Sequence, residues 1–334
     1  MPIELKEAVR KRPGMYLGDI DYDAANNVVH ELVANAIDLF LAGLATTINI
    51  QIKDNLIVVT DDGPGLPFSQ KSPHDPSASL VEHFLTYRHN HPTADNHAPH
   101  VHVFKGGLGL AVLNAVAAQL HIESSDGNGL WVQDFGRGDV LSPAHCQSGL
   151  FCKGTRIELA LDPLIFGDRT PDLYELRKTI FELAHFYPGL IFELGEERFH
   201  SKNGFLDLAY FSWNKPTKSA AAPKSFYYQG KSGDIAFQVA ALGESATETA
   251  FRSWVNGCAT VENGTHVQGL ANALAAIGWQ PQVALIHLVM YDPRYAGPCK
   301  DALRTPEVTR VLEEALAAPL RDFYHAQSGL PLRG

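Results

Sequence analysis

The chain has few cysteines, no surplus of positive charge and no apolar run long enough to cross a bilayer. Its four cysteines, at 146, 152, 258 and 299, form no CxxC pair, so the usual thiol signature of a redox or zinc motif is missing and no disulfide framework is implied. With 27 basic against 37 acidic residues the net charge is −10. That balance excludes a global field for gripping a nucleic-acid backbone and leaves DNA contact to a local patch or a partner. No stretch approaches the ~18–20 apolar residues of a transmembrane helix, and the opening MPIELKEAVRKRPG has no apolar centre of a signal peptide. A cytoplasmic protein without membrane attachment is therefore expected. There is no short-period repeat and no low-complexity tract. What remains is an ordinary globular composition, 45% hydrophobic and 19% charged, over 334 residues, a length that predicts two domains.

Periodicity divides the chain. Helices are predicted at 3–11, 25–43, 79–87, from the glycines at 106–109 to about 120, and at 173–187, with strands at 47–53, 55–62, 119–124, 129–135, 154–161 and 190–200. KPTKSAAAPK (215–224), low in bulky apolar residues, marks the entry to a second unit. There, strands at 225–230, 234–241, 248–255 and 283–291 and helices at 266–277 and 306–325 read as α+β.

Within the apolar helix at 28–42 the stretch ELVANAID carries Glu31, Asn35 and Asp38 at i, i+4 and i+7, on one face. Burying them without partners would cost about 1–3 kcal/mol each, so the stripe is either solvated or lines a polar pocket. Three further pieces have chemistry that suits a nucleotide: Asp61-Asp62-Gly63-Pro64-Gly65 at a strand end, Gly107-Leu108-Gly109 at a helix start, and Gly154-Thr155 entering a strand. Free N–H groups and the helix dipole at a glycine-rich helix start favour phosphate.

Together these pieces resemble the Bergerat-type (GHKL) ATP-binding fold shared by DNA gyrase B, heat-shock protein 90, MutL and histidine kinases. EAVRKRPGMYLGD (7–19) is similar to the start of type IIA topoisomerase ATPase subunits, and NGTHVQGL (263–270) and YDPRYAGPCKDAL (291–303) look like gyrase B's transducer domain. The resemblance runs in order along essentially the whole chain. It implies an α+β architecture: a two-layer α/β sandwich over 1–205 that binds ATP, then a ribosomal-S5-like transducer domain over 206–334. Residue by residue it implies Glu31 as the general base that activates water, Asn35 as a magnesium ligand and Asp61 as acceptor of the adenine amino group, supported by Thr155. Gly63 and Gly65 would let the backbone pass close to the base, Gly107, Leu108 and Gly109 would cradle phosphate, and Asp38 would be structural. Lys300, in Pro298-Cys299-Lys300, matches the lysine of the transducer's Gln-x-Lys, which reaches the γ-phosphate; the glutamine is absent.

The chain also departs from the family. Its lid, TYRHNHPTADNHAPHVHVFKGG (86–107), ends in GGLG where the family has GGLHGVG, which leaves Lys105 or Arg88 to serve the phosphates. The lid's five histidines (89, 91, 97, 100, 102) could bind a metal such as zinc, although no cysteine or regular helical spacing supports it; the other reading is a solvated or pH-sensitive surface. Pro64 and Asp126 stand where gyrase B has arginines, only six residues precede Glu7 where the family has an arm, and no TOPRIM segment follows. The expectation is thus a magnesium-dependent ATPase that drives a dimeric clamp or a separate topoisomerase-like partner and touches DNA only indirectly, with a weak ATP-induced homodimer. The alternative is a nucleotide-binding regulatory module with little turnover.

Overall fold

The computed structural model describes residues 4–21, 23–73, 75–87, 109–213, 223–244, 246–297 and 300–328. The chain forms two compact units, one of Met1–Ala184 with Gly189–His200, the other of His185–Pro188 with Ser201–Gly334.

The first unit opens with α1 (Leu5–Lys11), α2 (Gly14–Leu17) and α3 (Ala24–Leu41), followed by β1 (Thr47–Lys53), β2 (Leu56–Asp61), α4 (Leu80–Thr86) and α5 (Leu110–Val116). Next come β3 (Ala117–Ser125), β4 (Gly129–Gly136), β5 (Asp139–Val140), β6 (His145–Ser148) and β7 (Gly154–Leu161). The unit closes with α6 (Pro163–Phe166), α7 (Leu173–Phe186), β8 (Ile191–Leu194) and β9 (Glu197–Phe199). The strands form one sheet in the order β5-β4-β3-β7-β2-β1-β8-β9, with β6 also beside β4. β1 and β2 make a hairpin whose turn holds Asp54 at φ 53°, and only β1 and β8 pair in parallel among the described strands of this sheet. Helix α3 packs on β2, and α5 on β3 and β4. Val28, Val29, Leu32, Val33 and Ile37 of α3 are buried, as are Ile48, Ile50, Ile57, Val59, Leu159 and Leu161 of the strands. Their removal from water supplies the main driving force for this layer.

The EAVRKRPGMYLGD segment has a structural task. The Arg10 guanidinium on α1 donates to Asp162 Oδ2 at 2.7 Å and to Ala115 O at 2.8 Å, while Arg137 Nε donates to the same carboxylate at 3.1 Å. Burial opposes ionisation of Asp162, but the Leu164 N–H and the two guanidinium groups outweigh it and hold the carboxyl below its usual range. The pair pins the C-terminal end of α5, and Asn114 Nδ2, donating to Leu85 O at 2.9 Å, ties α5 to α4. Helix α5 is shorter than its apolar run predicts: it ends at Val116, and the chain enters β3 at once because Ala117 already pairs with Leu161 of β7. Tertiary pairing overrides local helix preference here.

The second unit contains α8 (Phe205–Trp213), β10 (Ser225–Ser232), β11 (Ile235–Leu242), β12 (Ala250–Val255), β13 (Cys258–Ala259), α9 (Thr265–Ala276), β14 (Val283–Val289) and α10 (Glu307–Ser328). Its sheet runs β10-β11-β14-β12-β13. Parallel β12 and β14 are joined through α9, the crossover that a parallel pair requires. Ala284, Ile286 and Leu288 of β14 join Leu270, Leu274, Leu312 and Leu316 from α9 and α10 in one core. Alternation turns His287 to the opposite face, where it stacks on Phe186 at 4.5 Å between centroids.

His287 Nε2 accepts the Gly257 N–H at 3.3 Å, and His266 Nε2 meets Thr260 Oγ1 at 3.0 Å. Burial lowers both imidazoles to about 3. In the unfolded chain they return to about 6.5. The unfolded state therefore binds more protons between these values, and the stability from keeping both rings neutral is complete above about pH 6.5 and declines as the pH falls toward 3. At pH 5 the loss is about 2 kcal/mol per ring. Urea unfolding followed by tryptophan fluorescence is expected to show a marked drop in midpoint between pH 7.5 and pH 5. Burial lowers the His30 imidazole too, to about 4, so in His287→Phe that drop should shrink by about a third; an unchanged drop would show that His287 is not its source.

Candidate nucleotide site

On α3, the early polar residues serve as struts. Asn26 Oδ1 accepts Asp172 N–H at 2.7 Å, and Asn27 Nδ2 donates to Leu17 O at 2.8 Å. One turn further, Glu31 is buried at 6% exposure. Its Oε1 accepts the Gly109 N–H at 2.8 Å, a charge-assisted bond that offsets part of the cost of burying a carboxylate. Gly109 caps α5 with φ +76° and ψ 153°, so the hydrogen bond joins the polar stripe to a glycine helix start. Another turn on, Asn35 is half-buried and its Nδ2 is buried without a hydrogen-bond partner among the described residues. Asp38 is half-buried and has partners of its own. His30, next to Glu31, has both ring nitrogens buried without a partner among the described residues, and burial lowers its pKa to about 4, so the ring is neutral.

The second piece sits at the end of β2. Burial pushes the Asp61 carboxyl above its usual range against hydrogen bonds from the Gly63 and Thr155 N–H groups; Gly63 N donates to Oδ1 at 2.9 Å. Burial also opposes ionisation of Asp62, but bonds from Thr46 and Thr47 outweigh it and hold this carboxyl low. The two adjacent carboxylates are therefore set apart: Asp62 anchors the chain at Thr46 and Thr47, and Asp61 is the more buried, held against the Gly63 turn. A side chain at Gly63 would stand 2.8 Å from Asp61 Oδ1 and from Leu39 Cδ1 of α3, which brings this turn against the striped helix. Gly154 has φ +140°, and a Cβ there would lie 2.1 Å from Asp61 O. Only glycine permits that approach. Thr155 follows, paired in register with Asp61 on one side and Ser124 on the other. Ser124 Oγ lies 3.1 Å from Thr155 Oγ1 and accepts Leu66 N–H at 2.7 Å.

The unit thus gathers Glu31, Asn35, Asp61, Gly63, Gly109 and Thr155 from four separated segments into a set with a buried carboxylate, an unpaired amide, a helix-start N–H and an acceptor beside a hydroxyl. A profile of the family described as histidine kinase-, DNA gyrase B-, and HSP90-like ATPase matches residues 20–161. Residues 20–161 are a domain of this family. Among relatives of this gyrase-B-like chain, DNA gyrase B of Clostridium acetobutylicum is 29% identical over 348 residues, covering 94% of this chain and 54% of that protein. DNA gyrase B of a Streptococcus pyogenes M18 strain is 32% identical over 285 residues, covering 82% and 43%. The chain spans about half the length of the curated relatives it matches. In fold it resembles the 43K ATPase domain of Thermus thermophilus gyrase B in complex with an aminocoumarin, with a TM-score of 0.81, 22% identity and coverage of 97% of this chain and 91% of that one. It also resembles the ATP-binding domain of Francisella tularensis topoisomerase IV in complex with an inhibitor, with a TM-score of 0.76, 23% identity and coverage of 96% and 92%.

Three of the expected gyrase-B-like site residues, Lys105, Gly107 and Leu108, lie outside the described residues, as do Arg88 and the lid histidines. Lys300 belongs to the second unit, where φ is +55°, its N–H donates to Gly297 O at 3.1 Å and its ammonium lies 5.5 Å from the Tyr295 ring centroid. At Gly65 (φ +83°) a Cβ would stand 2.6 Å from Ser125 O and 3.2 Å from Asp126 N, so exposed Pro64 and Asp126 lie at one rim. Ser124 escaped sequence reasoning, since a lone serine in a strand carries no periodic signal. Among the described residues no group of histidine, cysteine and acidic side chains is arranged as a metal cluster, and no helix is long and apolar enough to cross a membrane.

Proposed function

We propose that the chain is a magnesium-dependent ATPase of gyrase-B type, with residues 1–205 binding ATP and 206–334 acting as transducer. The observation that carries this reading is the Glu31 carboxylate on the Gly109 N–H, with the orphaned Asn35 amide one turn away. A buried amide nitrogen without a partner is costly, and a polar ligand beside Glu31 would remove that cost. The amide oxygen of Asn35 is the hard donor that would hold magnesium, whose chemistry is to neutralise charge on the phosphates. Asp61 accepts the adenine amino group, and Thr155 supports the base. Glu31 takes a proton from water as the water oxygen bonds to the γ-phosphorus and the bond to the β,γ-bridging oxygen breaks, giving ADP and phosphate. Turnover changes the conformation of a dimeric clamp or of a topoisomerase-like partner, and with a net charge of −10 DNA is engaged through that partner.

A steady-state phosphate-release assay, with magnesium or EDTA and with and without DNA, tests this. Saturable ATP hydrolysis that EDTA abolishes is expected. Tight ADP binding without turnover would instead identify a nucleotide-binding regulatory module, the reading that Pro64 favours. Absence of both would remove the nucleotide site itself.

A further inference from the structure

Helix α5 has the Gly109 N–H at one end and a set of polar ties at the other. The last four carbonyls of a helix have no partner within it, and in α5 each is satisfied from outside. Leu113 O and Asn114 O accept the Ala117 N–H, and Asn114 O also accepts the Gly138 N–H at 3.1 Å. Ala115 O accepts Arg10 Nη1 at 2.8 Å, and Val116 O accepts the Asp162 N–H at 3.1 Å. Among the described residues Arg10 is the only side chain in this set of donors. Its guanidinium grips twice, at Ala115 O and at the fully buried carboxylate of Asp162, 2.7 Å away, whose own N–H caps Val116. A cation at a helix C-terminus also suits the helix dipole.

Residues Ala111 to Val116 of α5 are all buried, and all but Asn114 are apolar. Apolar contact is non-directional: it sets how deep the helix lies, whereas hydrogen bonds fix its position along its axis. Asn114 Nδ2 holds α5 to α4, and Arg10 holds it to α1. Gly109 lies about 9 Å from Ala115 along the axis, at about 1.5 Å per residue, and its carbonyl accepts the Val112 and Leu113 N–H groups. A shift at the Arg10 end is therefore carried to Gly109, whose N–H meets Glu31 Oε1 at 2.8 Å. We propose that Arg10 is a positioning residue for ATP hydrolysis: by gripping the C-terminal end of α5 it holds the Gly109 N–H against the Glu31 carboxylate. This rests on the reading of Glu31 as the base of an ATPase. Arg10 touches no substrate; it acts through α5 on the direction of the Glu31 carboxylate.

Phosphate-release kinetics, ADP calorimetry and the amide spectrum of glycine-labelled protein, all on the full chain, test this. Misplacing a reacting group by about 1 Å can cost about 100-fold in rate. Arg10→Met keeps the apolar stem and loses both grips; it is expected to lower kcat about tenfold while KM and ADP affinity stay within about twofold. The Gly109 amide proton, identified by its displacement in Glu31→Gln, should move upfield in Arg10→Met as its bond to the carboxylate lengthens. Arg10→Lys puts one ammonium where a fork reached two acceptors and should recover part of the rate. Lys6→Met is the control. Lys6 lies on the same helix and pairs with exposed Asp139 at 2.5 Å, so its loss should leave kcat and the Gly109 signal at parent values. A merely structural Arg10 would lower the unfolding midpoint and leave both readouts unchanged, which overturns the inference. A rate loss without displacement of the Gly109 signal, or an equal loss in Lys6→Met, overturns it too. If Arg10→Met does not fold, Arg10→Lys decides: a severalfold fall in kcat with the Gly109 shift upholds the inference, and parent values overturn it. All of these outcomes leave the ATPase reading intact while the parent hydrolyses ATP. A parent that binds ADP without turnover, or binds no nucleotide, removes the proposed chemistry and the inference with it.

Discussion

Replacing Glu31 by alanine is expected to lower ATP hydrolysis by about 10²–10⁴-fold, the usual worth of a positioned base, with ADP and ATP affinity held or increased. The two halves of this expectation have different origins in the structure. On the proposed chemistry the rate falls because the carboxylate assigned to receive the proton of the attacking water is gone. Affinity persists because Glu31 occupies the Gly109 N–H at 2.8 Å, a donor at a helix start that suits a phosphate oxygen. Its removal leaves that donor open to the nucleotide. Glu31→Gln separates chemistry from support, since the amide oxygen still accepts the Gly109 N–H but the group takes up no proton at neutral pH. If both variants lose turnover to a similar extent, Glu31 is the base. If Glu31→Gln hydrolyses ATP at the parent rate, the carboxylate serves only to cap α5, and the proposed chemistry fails at this residue.

Helical geometry made part of this site legible in the sequence and left other parts hidden. Glu31, Asn35 and Asp38 could be placed on one face because 3.6 residues per turn fixes that relation without any knowledge of the fold. The burial of Glu31 and the orphaned Asn35 amide give that face the polar-pocket character that spacing left open. The bond between Glu31 and Gly109 spans 78 positions, and no periodicity reports a contact of that range. It was reachable only through the ordered resemblance to gyrase B. The β1–β2 hairpin was legible from two β-rich runs around Asp54-Asn55, whereas β6 was not: His145–Ser148 is exposed at every residue and pairs only at the margin of β4, so no apolar alternation marks it. Helix α8 was missed for the opposite reason. FLDLAYFSW is apolar nearly throughout, a pattern that a short buried strand or helix shares, and it adjoins the alanine- and lysine-rich KPTKSAAAPK. The end of α5 at Val116 was set by strand pairing with β7, which alanine-rich helical periodicity does not register.

Lys300→Ala is expected to cut turnover at least ~100-fold, a transition-state loss of roughly 2.7 kcal/mol, while ADP affinity stays within about twofold of the parent. The loop around it is held within its own unit: Tyr295 and Gly264 both bridge to Leu303, and the Lys300 N–H is tied back to Gly297 O. Its φ of +55° is uncommon for any residue other than glycine. Alanine meets the same backbone demand as lysine, so the substitution tests the side chain alone. In the bland reading the ammonium merely rests on the Tyr295 ring at 5.5 Å, a contact worth about 0.5–1 kcal/mol at exposed sites, and its loss would touch stability and leave hydrolysis unchanged. In the reading carried by the gyrase B resemblance, the charge stabilises the terminal phosphate as the bond breaks, where a water-excluded setting strengthens Coulomb terms. ADP lacks that phosphate, so on that reading its binding is indifferent to Lys300. Lys300→Arg keeps the charge on a longer, planar group and should recover part of the rate, while Lys300→Met keeps the apolar stem on Tyr295 and should not. Parent-level hydrolysis in Lys300→Ala would mean that this loop does not couple the two units.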